Sequence, residues 1–248
     1  MSDVAAQAPE VPERVNAFGR IFGALFSPKA TFESIVRQPT WFAPILVLTI
    51  LSLVVIGLFS HRVGWRSFFE KQLESNSRVQ EMPADQREQV LQSVVRFYPP
   101  VIYVIGAVSP IVAALIVSAV LLGIFNGLAG AGLKFKTSFA VAAYASSPSI
   151  IRGLLGILVV LLKDPATIDL QNLVASNGAI FLSNDAAKWL LALMRSIDVF
   201  TIWPLVLMAI GYHCAAPKKL STGAAFAWIF ALYAVIVLAV VGLTAAFA

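Results

Sequence analysis

Five stretches of the chain stay apolar for about twenty residues or more, the length a helix needs to cross a bilayer. They cover about residues 41–60, 99–125, 138–162, 189–212 and 223–247. The first, second and fifth contain no charged residue, whereas the third carries Arg152 and the fourth carries Arg195 and Asp198. The pattern predicts an all-α polytopic membrane helix bundle with five transmembrane helices over residues 39–248.

Ahead of the first span, RVNAFGRIFGALFSPKATFESIVRQP alternates differently. Val15, Phe18, Ile21, Phe22 and Leu25 recur at helical spacing, with Arg14 and Arg20 between them. Ser27 and Pro28 read as the N-cap and first residue of a second helix. Phe32, Ile35 and Val36 mark one face of that helix, and Lys29 and Arg37 flank it. Residues 14–38 are thus expected to form two amphipathic helices. They would either lie at the membrane interface or pack onto the bundle.

The longest polar connection, His61 to Phe97, holds six Lys/Arg against five Asp/Glu. Phe68, Phe69 and Leu73 suggest one short amphipathic helix. Val90, Leu91, Val94 and Val95 suggest another, starting near Pro83. A helical hairpin capping the bundle is expected. The first thirteen residues are polar and proline-bearing, lack the basic and apolar regions of a secretory signal, and read as a disordered tail.

Composition reinforces the pattern. Fifty-nine per cent of residues are hydrophobic and 12% are charged, about half the charged share of a soluble domain. The net charge of +5 suits a membrane surface carrying anionic lipids and does not point to nucleic acid. Bases close to span ends cluster in short segments on the N-terminal side, including Lys134, Lys136, Lys218 and Lys219. This places the N-terminus in the cytoplasm. Cys214 is a lone cysteine, and His61 and His213 have no neighbouring ligand set. No metal or cofactor is expected. No phosphate loop, HExxH or GxSxG pattern occurs, so familiar soluble-enzyme chemistry is not expected.

The candidate chemistry lies inside the spans. Arg152, Arg195 and Asp198 are costly in hydrocarbon and should face protein, a wet cavity or one another. At helical rise Arg152 lies about 15 Å from Leu162, and Asp198 lies about 13 Å from Trp189. The two are expected to meet between the third and fourth spans, with Arg195 an i,i+3 neighbour of Asp198. They form either a structural clamp or a polar site for an anion or lipid headgroup. Pro110, Pro148 and Pro204 each remove a donor inside a middle span and are expected to kink it. Ser146 and Ser147 stand ready to satisfy loosened backbone groups. Gly123 and Gly127 form a small-xxx-small pair that permits close packing.

The run FSPKATFESIVRQPTWFAPILV resembles the N-terminal signature of bacterial members of the Yip-one family, the Ypt/Rab-interacting membrane proteins. The matching positions are Pro28, Phe32, Ile35, Pro39 and Trp41. AAYASSPSII, with Tyr144 and Pro148, is similar to a second family segment. FTIWPLVLMAIGYHCAAPKKLSTGAAFA, with Trp203, Leu207 and Gly211, is similar to a third. The resemblance implies a five-helix integral membrane protein with a cytoplasmic N-terminus and no mapped catalytic residues. The eukaryotic DLYGP-like motif is missing, so the link to Rab GTPases does not carry over. The expected function is a non-enzymatic scaffold or interaction module, with a membrane-protein partner or a second copy of the chain. The alternative is a small transporter or channel built on the polar cluster. A lipid enzyme ranks third.

Overall fold

A computed structural model describes residues 16–74, 77–170, 172–183 and 186–247. The expected disordered tail lies outside these residues. The described chain is built from α-helices joined by loops and two short 3-10 turns, with one isolated β-bridge. In order, the helices are α1 (Gly19–Phe26), α2 (Pro28–Arg37), α3 (Phe42–Arg62), α4 (Trp65–Glu74), α5 (Ser77–Gln80) and α6 (Ala84–Ala129). They continue with α7 (Phe135–Ala145), α8 (Pro148–Leu162), α9 (Lys188–Ser196), α10 (Val199–Ala215) and α11 (Thr222–Ala246).

Four segments are long and apolar enough to cross a membrane: α3, α6, α7 through α8, and α11. The remaining apolar helix, α10, has 17 residues. The stretch expected as one fourth span is therefore two helices, α9 and α10, separated at Ile197 and Asp198. Asp198 has an extended backbone and begins α10 as its N-cap residue. Its short polar side chain favours the non-helical cap position over a helix interior.

The second expected span is a 46-residue helix, about 69 Å long at helical rise. It starts at Pro83, as the polar connection suggested, but continues without interruption through Pro99 and Pro100 into the apolar run. The separate second arm of the predicted hairpin is therefore the first part of α6. One apolar cluster spans the two prolines and aligns the helix on either side of them. Leu91, Val94 and Val95 lie on one side and Ile102 and Tyr103 on the other, all packed with Phe59, Trp65 and Phe69. Arg66 on α4 adds ion pairs of 2.9 Å to Glu70 and to Glu88 of α6. Gly130, in the left-handed region at φ 57°, stops the helix, and its N–H returns to the carbonyl of Phe125. Gly123 and Gly127 face open space, so the small-residue pair makes no close helix contact here.

The third stretch also divides. Pro148 is the first residue of α8 and not an internal kink. Proline lacks the N–H that would continue α7, so the carbonyl of Tyr144 is released. The hydroxyl of Ser147 donates to that carbonyl at 2.6 Å, and Ser146 donates to Ala143 at 2.6 Å. Pro110 and Pro204 remain inside α6 and α10.

Helix α3 packs along α8 and α6, while α10 packs against α2, α7 and α11. The largest apolar core joins Phe32 and Ile35 of α2 to Phe125 of α6, Val141 and Tyr144 of α7, and Leu207 and Tyr212 of α10. Ser27 precedes α2 without a side-chain cap, whereas Ser221 caps α11 by accepting from the N–H of Ala224 at 3.2 Å.

Candidate functional site

Two polar features stand out against this apolar fold. One is a buried hydrogen-bonded junction and the other is a cleft with a cation that has no partner among the described residues.

The junction forms where α1 and α2 dock on the bundle. Ile21 and Ala24 turn inward, and Arg20 lies in the same helical phase, only 5% exposed. Its Nη1 donates to the carbonyl of Gln38 at 2.9 Å and to Thr40 Oγ1 at 3.0 Å. Its Nη2 donates to Ser34 Oγ at 3.1 Å. The guanidinium thus sits at the C-terminal end of α2, where a cation complements the exposed carbonyls. Thr40 Oγ1 and the Tyr144 hydroxyl are 3.3 Å apart, and that hydroxyl donates to the carbonyl of Ala17 at 3.0 Å. With Arg20 as donor to Thr40, the direction runs Arg20 to Thr40 to Tyr144 to Ala17. The bonds close a loop between α1, the end of α2 and the interior of α7.

Beneath this loop, Phe32 fills the space left by Gly211. A Cβ at Gly211 would meet Val141 Cγ1 at 2.6 Å and the Phe32 ring at 2.9 Å, distances that side chains do not tolerate. Deeper still, Ser138 donates to the carbonyl of Ser118 at 2.8 Å and takes the Tyr212 hydroxyl at 2.6 Å. The structure thus brings Phe32, Tyr144 and Gly211 into one junction. Trp203 packs at the edge of the main core, and Trp41 meets Phe139 at a tilt with ring centres 5.2 Å apart. Pro28 starts α2. The helical spacing set Arg20 only between apolar positions, although its phase beside Ile21 and Ala24 marks the buried side.

The three charges of the expected third and fourth spans do not come together. Asp198 is buried, and its Oδ2 accepts from Ser176 Oγ at 2.6 Å. Thr201 Oγ1 donates to its Oδ1 at 3.4 Å. Backbone bonds join Gly178 to Ile197 and Val199 to Ser176, so Asp198 fastens the loop before α9 to the start of α10. Arg195 is exposed on α9, and Arg152 is half-buried on α8. Among the described residues the ion pairs are those of Arg66, and none links Asp198 to either arginine. The expected meeting of Arg152 and Asp198 is not seen among the described residues, and the chain breaks at Ile197. The carboxylate then leaves the helical row and finds hydroxyl partners.

Arg152 instead lines a cleft of about 540 Å³ between α3, α6 and α8. Its walls include Leu48, Leu51 and Val55 of α3, Ser109 and Pro110 of α6, and Ser149 of α8. The polar site therefore lies mainly among the first three spans, and α10 contributes Met208. No metal-ligand cluster occurs among the described residues.

A helical bundle with four segments long and apolar enough to cross a membrane defines an integral membrane protein. The Yip1 domain model matches residues 22–244, and the chain belongs to that family. It is similar to "Membrane protein YknW" of Bacillus subtilis (strain 168), at 24% identity over 197 residues, covering 78% of this chain and 77% of that protein. No solved structure matches the chain significantly.

Proposed function

We propose that this chain is a non-enzymatic scaffold of the bacterial inner membrane that organises lipid by holding α1 as a wedge in one leaflet. The observation that carries this reading is the outer face of α1. Phe18, Phe22 and Phe26 follow one another at four-residue spacing and are 53%, 66% and 77% exposed. Three phenylalanines in water at such exposure form a patch that a lipid interface would cover. The inner face of the same helix is fixed by Arg20 and Ile21, so the patch is held at a set angle to the bundle. In this reading α10 completes five crossings, the N-terminus is cytoplasmic, and the anionic inner leaflet meets Lys29, Arg37 and the lysines of the short loops.

The test is a spin label placed by Phe22→Cys in a Cys214→Ala background, in vesicles of the full chain. Oxygen should relax the label far more than a water-soluble nickel chelate does. A Phe18→Ser, Phe22→Ser, Phe26→Ser variant should retain the fold but lose any effect of the protein on vesicle diameter. A label fully accessible to nickel would overturn the wedge.

A further inference from the structure

We propose that the cleft beside Arg152 binds one anionic phospholipid, with the headgroup phosphate on the guanidinium and an acyl chain along the apolar wall.

The charge is the first reason. Arg152 lies within IIRGLLGILVV, where an uncompensated cation is costly. Among the described residues it makes no hydrogen bond or ion pair, and none of those that line the cleft is acidic. Asp198, the buried acid of the spans, is engaged by Ser176 and Thr201. Among the described residues no anion compensates Arg152, which leaves its guanidinium open to one from outside the chain. A guanidinium offers a planar fork of donors that matches a phosphate.

The cleft supplies the rest of the specificity. The hydroxyls of Ser52, Ser109 and Ser149 line it and are further donors for headgroup oxygens. Leu48, Leu51, Val55 and Val117 form an apolar wall on α3 and α6. A volume of about 540 Å³ lies within the range of ligand sites. A small hydrated anion would satisfy the arginine but leave this wall uncovered. An anionic amphiphile satisfies both, and the bilayer supplies it at high local concentration. The side chain of a helical residue also leans toward the helix N-terminus. Arg152 therefore reaches back toward Pro148, at the α7–α8 break.

The experiment uses the full chain in a neutral detergent, with bound lipids counted by native mass spectrometry. The probes are phosphatidylglycerol, phosphatidylcholine of the same chain length, and inorganic phosphate. One phosphatidylglycerol per chain should be retained at least tenfold more tightly than phosphatidylcholine. Arg152→Gln should abolish that preference, Arg152→Lys should keep part of it, and Arg66→Gln should leave it intact. Ala113→Phe, on the cleft wall, should weaken phosphatidylglycerol retention with the arginine still present. It decides the matter if Arg152→Gln does not fold. Undiminished lipid preference in Arg152→Gln or in Ala113→Phe would overturn the proposal. So would inorganic phosphate competing as well as the lipid at equal concentration, because the ligand would then be a free anion.

Discussion

Arg20 and Arg152 are both set among apolar side chains, yet the fold treats them in opposite ways. Arg20 is buried more completely, and its two terminal nitrogens find a carbonyl and two hydroxyls at the end of α2. Arg152 is half-buried, lines a cleft and has no protein partner among the described residues. The lesson is that depth alone does not separate a structural charge from a binding charge. What separates them is whether the protein's own acceptors complete the site. Around Arg20 they meet both terminal nitrogens, leaving only the buried Nε without a partner among the described residues, and space is so fully used that Gly211 has no room for a methyl group. Around Arg152 space and donors are both left over.

The contrast can be broken most forcefully at the junction. Phe32→Ala should destabilise the protein by about 3–5 kcal/mol, the usual cost of deleting a buried aromatic ring. Reversible unfolding in mixed micelles would measure it. Gly211→Val should be at least as damaging, and a mild phenotype there would mean that α2 is not seated against α10 as described. Arg20→Met comes next. It leaves the carbonyl of Gln38 without its donor and should cost about 3 kcal/mol, given the price of orphaning groups bonded to a charge.

A smaller effect is expected at Asp198. Asp198→Asn keeps an acceptor for Ser176 and should cost about 1 kcal/mol. A double-mutant cycle with Arg152→Gln should give a coupling below about 0.5 kcal/mol, as for residues that share no partner. A large coupling would restore the ion pair that the sequence suggested. The smallest effect belongs to Arg66→Gln. Its exposed pairs with Glu70 and Glu88 should contribute no resolvable change in the unfolding midpoint.

Much of this architecture was legible in the hydrophobic pattern. The spans of α3 and α11, the two short helices before them and the start of α6 near Pro83 all follow from spacing and capping chemistry. The serines at the α7–α8 break also play the role their position suggested. The misses share one cause. Prolines and charges were read as perturbations within single helices, whereas tertiary packing decides their effect. Pro99 and Pro100 leave α6 unbroken because one aromatic cluster grips both sides. Pro148 ends a helix because Ser147 can satisfy the carbonyl it frees. Asp198 moves to a cap because a loop some twenty residues earlier supplies Ser176. That last partnership has no periodic signature, so no reading of the spans alone would find it. The buried role of Arg20 was within reach, since its phase matches Ile21 and Ala24.

The most direct measurement compares the unfolding midpoints of the parent chain, Arg20→Met and Arg152→Gln in neutral and in phosphatidylglycerol-containing nanodiscs. Arg20→Met should lower the midpoint by the same amount in both. Arg152→Gln should match the parent chain in neutral lipid and lose only the increment that phosphatidylglycerol gives. Equal losses from the two arginine variants in neutral lipid would contradict the division between a structural charge and a binding charge.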